Sequence, residues 1–155
     1  MRFIVKAYTK KLREVANSVK KFFSDFRPIW KGPADVLIKS TKQLIDTGDS
    51  SWQKLAKSTI RWRMAKGYET SPILKASGRL SESFGNVNTQ QRKSLTVGTN
   101  LPYAAAQQFG SKVHGIPPRP FAVVSDKASS DISEIISDEL NKTIQETISK
   151  TKEES

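Results

Sequence analysis

The last third of the chain constrains the fold more than any other part. Ile132, Ile135, Ile136, Leu140, Ile144 and Ile148 recur at spacings of three and four, with Ser, Asp, Glu and Lys between them. This pattern predicts a long helix with a single apolar face. Such a helix is stable only when another layer covers that face. Ser125 or Asp126 is suited to cap its start, and the final "TKEES" (151–155) is expected to fray.

Other helices precede it. Residues 9–26 place Leu12, Val15, Ala16, Val19, Phe22, Phe23 and Phe26 at helical spacing, and Pro28 ends the run. Residues 34–46 form a second helix opened by Pro33 and closed by Gly48. A third is expected from Trp52 to about Lys66, capped by Ser50 or Ser51. The middle then changes character. Residues 83–88 and 94–98 read as strands around a polar turn at 89–93. Pro102 opens a short helix through Phe109, with Gly110 as its cap, and residues 120–125 read as a third strand. The fold class is α+β: N-terminal helices, a small antiparallel sheet with a short inserted helix, and a long C-terminal helix packed on the sheet. One domain is expected over 1–150: a helical part (1–50), a core (51–125) and the final helix (126–150), with 151–155 as a tail.

Composition excludes several kinds of chemistry. The 155 residues contain no cysteine and one histidine, His114. Thiol catalysis, disulfides and Cys-based zinc sites are therefore absent, and a His-rich metal site cannot be built. His114 lies between Val113 and Gly115, where a surface loop residue is expected rather than a catalyst. The glycines lack phosphate-loop or dinucleotide spacing. Asp46 and Asp49 flank Gly48 without the rest of a calcium loop. No carboxylate pair is placed for acid–base work. No catalytic, cofactor or metal residue is assigned. The apolar runs are too short for a membrane span, and the one near the start is too short for a signal peptide, so a cytosolic chain is expected.

The formal net charge is +11. Residues 1–67 carry 16 Lys/Arg against 5 Asp/Glu, whereas residues 126–155 carry 4 against 8. This asymmetry suits a nearby polyanion, subunits that dock a basic face on an acidic one, or simply a solvated, lysine-rich surface. Lys54, Lys57, Arg61, Arg63 and Lys66 interleave with Trp52 and Trp62 as candidate phosphate contacts. Trp52 also fits the apolar face of the third helix; Trp62 falls off it.

Four landmarks then occur in order: "SWQKLAKST" (51–59), "ILKASGRLSESF" (73–84), "VGTNLPYAAAQQFG" (97–110) and "IPPRPF" (116–121). Together they resemble the phage virion morphogenesis family, the Mu-like tail-completion or neck proteins of tailed bacteriophages. The family pattern is roughly Trp-x-x-Leu-x-x-x-Thr, Leu-x-x-(Ser/Thr)-Gly-x-Leu, Tyr-Ala-x-x-x-Gln-x-Gly and Ile-Pro-x-Arg-Pro-Phe. Residues 1–50 and the last helix match only as helices.

The resemblance implies a structural virion protein without enzymatic activity or cofactor. It implies a homo-oligomeric ring, commonly hexameric, at the head–tail junction around the DNA channel. Neighbouring connector or tail-tube proteins would be its partners, with sequence-independent DNA contact and no membrane. The virion neck or tail would be its location, and the host cytoplasm its place of assembly. A free-standing basic nucleic-acid-binding protein is the competing reading. A toxin-like nuclease is disfavoured by the lone histidine.

Under this reading residues 110–118 form an assembly loop. Its interface residues are Tyr103, Gln108, Phe109, Gly110, His114, Pro117, Arg119, Pro120 and Phe121. Tyr103 and Phe109 are expected to bury the ends of the short helix. Gly110 turns the chain, and Pro117 and Pro118 stiffen its return. Arg119 should pair with a carboxylate or carbonyls, and Phe121 should enter the core.

Overall fold

The computed structural model describes residues 2–153, with side chains from 10 to 150. Six helices and one hairpin follow in order: α1 (Arg2–Ser24), α2 (Lys31–Thr47), α3 (Lys57–Ala65), α4 (Arg79–Ser83), β1 (Val87–Gln90), β2 (Leu95–Gly98), α5 (Ala104–Phe109) and α6 (Asp126–Glu153). A 3-10 turn at Arg27–Ile29 joins α1 to α2, with Pro28 inside it. The class is α+β, with a two-stranded antiparallel sheet. Val87 pairs with Gly98 and Gln90 with Leu95, so the turn is confined to 91–94.

α6 packs along α1 and α2. The expected seat on the sheet is therefore corrected. Two four-residue strands are too short to cover a 28-residue helix, whereas α1 and α2 are long enough to lie along it. Thr147 donates a hydrogen bond to Ser18 Oγ across the α1–α6 seam at 2.9 Å. Gly32, near the start of α2, lets Ile135 approach: a Cβ built there would lie 3.2 Å from Ile135 Cγ2. Ser125 caps α6, its hydroxyl accepting from the Ala128 amide at 3.2 Å. The helix continues to Glu153, and the last two residues of the expected tail lie outside the described residues.

Ile45, Trp52, Leu74, Leu80, Phe84, Ala104 and Phe121 form the core beside α2. Phe84 and Phe121 meet edge to face, with centroids 6.4 Å apart. Trp52 is buried, yet it precedes α3 instead of opening it. Asp49 explains this: its carboxylate accepts the Ser51 amide and its carbonyl the Trp52 amide, which folds 49–52 into a turn. Neither Ser50 nor Ser51 caps the helix; Ala56 stands at its N-terminus in an extended conformation.

Two strand expectations are also corrected. Residues 79–83 are helical, so the first strand begins only at Val87. Residues 120–125 make no strand. The Phe121 and Ala122 amides both donate to Gln108 Oε1 at 2.9 Å, so a side chain takes the place of a neighbouring strand. The tip of the hairpin is tied back to the α1–α2 junction. Trp30 Nε1 donates to the Gln91 carbonyl at 2.6 Å, and the Phe26 amide to that of Arg92 at 2.7 Å.

Candidate assembly interface

α5 and the segment after it form one braced unit. Arg119 is only 5% exposed. Its backbone amide donates to the Gln107 carbonyl at 2.7 Å, and Nη1 to the Gln107 side-chain oxygen at 3.2 Å. Nη2 and Nε reach the Gln53 carbonyl at 3.2 and 3.4 Å. The fork is thus satisfied by carbonyl-type oxygens, and it fastens the end of the loop both to α5 and to the segment before α3. Burial pushes the Arg119 pKa below the ordinary arginine value, and the nearby Arg63 cation lowers it further. Phe121 is buried behind it.

Between these anchors the chain forms a tight excursion. Ser111 and Ile116 exchange backbone hydrogen bonds at 2.8 and 2.9 Å, and Gly115 closes the turn onto the Lys112 carbonyl. Ser111 Oγ lies 2.9 Å from His114 Nδ1, within the loop itself. His114 is exposed there. Gly110 has φ 79° and ψ 170°. That region is open essentially to glycine alone.

The excursion presents apolar groups outward. Val113 is 90% exposed, Phe109 79% and Tyr103 42%. The expectation that Tyr103 and Phe109 bury the ends of α5 is overturned. Ala104 alone is buried in that helix; Ala105 is exposed, and both aromatic rings face out. Pro117 is half-buried, and Pro118 and Pro120 are exposed. Gln53 and Gln107, which hold Arg119, carry no signal in the sequence that singles them out. Gln108, placed at the interface by sequence, instead clamps the return segment.

The basic residues around α3 divide into two groups. Lys54, Lys57, Arg61 and Lys66 are exposed. Arg63 turns inward, donating to the carbonyls of Glu69 at 3.2 Å and Ile73 at 2.8 Å. Burial lowers its pKa. It secures the loop after α3, whereas the other four stay in solvent. Trp62 is exposed and lies against Tyr68, with centroids 5.7 Å apart. Among the described residues no group of three His, Cys, Asp or Glu is placed to hold a metal. No helix among them is long and apolar enough to cross a membrane.

Comparison with known proteins agrees with the ordered landmarks. The model of the phage virion morphogenesis family matches residues 7–141. "Mu-like prophage FluMu G protein 2" of Haemophilus influenzae is 32% identical over 82 residues, covering 50% of this chain and 57% of that protein. The chain thus matches little more than half the length of that relative. No solved structure matches significantly. The family match extends beyond the four landmarks, back through α2 to residue 7 in α1 and forward to residue 141 in α6, just past Leu140 of its apolar stripe. The chain belongs to the phage virion morphogenesis family.

Proposed function

We propose that this chain is a non-enzymatic structural subunit of a ring at the head–tail junction of a tailed phage. The ring surrounds the DNA channel and completes the neck or tail. The observation that carries this reading is the braced apolar excursion at 110–118. A buried Arg119 and a glutamine clamp brace the segment that carries the exposed Val113 at its tip and the exposed Phe109 just before it, at the end of α5. Exposing two large apolar side chains on a braced segment gains nothing for an isolated chain. Pre-ordering them reduces the entropy lost when a neighbour covers them. The neighbours are other copies, in a ring commonly of six, and adjoining connector or tail-tube proteins. The exposed Lys54, Lys57, Arg61 and Lys66 supply sequence-independent phosphate contacts to DNA in the channel.

Replacement of residues 111–116 by a Gly/Ser linker of equal length tests the role of the loop. The variant is expected to keep its fold and melting temperature and to lose oligomerisation and virion completion. Unchanged assembly would reduce the loop to a connector. The alternative of a free-standing DNA binder predicts a monomer or dimer that selects a defined site from random duplex. The ring reading predicts only weak binding that falls steeply with salt.

A further inference from the structure

An outward apolar tip needs a receiving surface, and the chain carries one. A groove of about 440 Å³ lies between α2 and the start of α6, with Val36, Leu44, Val123 and Ala128 as its apolar walls. Val123 stays exposed there because residues 120–125 pair with no strand. Lys39 stands on the α2 rim. On the α6 rim Lys127 is paired with Asp131 at 3.5 Å. Further along the same face of α6 come Glu134 and Asp138, three and seven residues beyond Asp131, both exposed.

Charge distinguishes the two surfaces. Over residues 126–141 α6 has five acids against the single Lys127, although the chain as a whole is +11. Over residues 103–118 Lys112 is the only formally charged side chain. The tip is therefore apolar with one positive charge. The groove has apolar walls with Lys39, Lys127 and Asp131 on its rim, and the exposed Glu134 and Asp138 follow beyond it on α6.

We propose that the tip of one copy, Val113 with Phe109 and Lys112, seats in the α2–α6 groove of a second copy. Lys112 faces the acids of α6 there, where opposite charge fixes register more than it adds affinity. This rests on the assembly reading above and names its contact. Tip and groove are different patches of one chain, so the contact is heterologous. Repeated, it closes into a ring if the rotation allows and otherwise runs into a filament.

Because the chain lacks cysteine, disulfide trapping tests the contact directly. Val113→Cys and Gln43→Cys, the latter on the groove, are oxidised singly and mixed. Thr89→Cys on β1 replaces the groove variant as a control. The expected result is a covalent dimer only in the mixture of tip and groove variants. The double variant should give a ladder that ends at a fixed multiple. Lys112→Glu should weaken self-association several-fold, and adding Glu134→Lys and Asp138→Lys should restore it. No link in the mixture, or an equal link to Thr89→Cys, overturns the contact. Wild-type self-association by light scattering, measured alongside, separates the two levels. Wild-type assembly without the link overturns this contact and leaves the ring reading standing. A wild-type chain that stays monomeric at every concentration and gives no link overturns both.

Discussion

At Gly110 the backbone leaves α5 through a conformation closed to other residues, and an added Cβ would lie 2.9 Å from both the Ile116 carbonyl oxygen and the Pro118 nitrogen. Both are backbone atoms and cannot rotate away. Gly110→Ala is expected to cost at least about 1–3 kcal/mol from strain. Gly67 also has positive φ, but nothing lies within 4 Å of its added Cβ. Gly67→Ala should therefore cost less, and equal losses in denaturant unfolding would contradict the close packing of the loop. Asp25 gives a pH signature. The Arg27 side chain, then its backbone amide, holds the Asp25 carboxyl down to about 2 from an ordinary value of 3.8. A lowered folded-state pKa stabilises above the unfolded value and is lost as pH falls through the folded one. Asp25→Asn should therefore flatten stability between about pH 4 and 2, and an Asp25 carboxyl titrating near its ordinary value would contradict the contact. Arg119 shows what a sequence reveals at this scale. Its flanking prolines mark a fixed guanidinium, but its partners Gln107 and Gln53 lie 12 and 66 residues away. Only the folded chain brings them together.

At the scale of elements, periodicity was legible wherever an element buries one face along its length. α2 and α6 follow their apolar stripes and the hairpin follows its polar turn, whereas in α1 Leu12, Ala16 and Phe23 of the expected stripe are exposed and Phe26 falls beyond the helix. The partner of a stripe was not legible. The isoleucines of α6 demand a cover, but α1 and α2 provide it because their length matches. Phe121–Ser125 has strand propensity, yet propensity yields to available partners. Gln108 takes its first two amides, and no strand lies beside it. Trp52 keeps helical step with Leu55, Ala56, Thr59 and Ile60, though its anchoring is a turn. The α2–α6 contact gives a test by coupling. Gly32→Ala alone gains up to about 1 kcal/mol of helix propensity and loses part of it against Ile135, whose Cγ2 would lie 3.2 Å away. In an Ile135→Ala background that crowding is gone. The double-mutant cycle should show Gly32→Ala more favourable there, with coupling of about 0.5 kcal/mol or more. Additive effects would contradict the packing.

For the whole molecule, four short landmarks sufficed to suggest the family, because they place turn glycines, prolines and core anchors in a set order along the chain. The match over residues 7–141 takes in most of α1, all of α2 and the first part of α6. The candidate interface was legible in part. The Gly- and Pro-bounded loop stood out, but the outward turn of Tyr103 and Phe109 did not, since an aromatic ring beside alanines reads as core. Side-chain burial decides that, and it depends on which face α5 turns to Phe84 and Phe121. The basic N-terminal half and the acidic α6 place opposite charge on one subunit. The most direct test of the central claim is electron cryomicroscopy of phage particles assembled with and without this chain. A ring of density at the head–tail junction that accommodates this fold is expected, with unjoined or unfinished particles when the chain is absent. Complete particles without the chain, or density for it only away from the junction, would contradict the account.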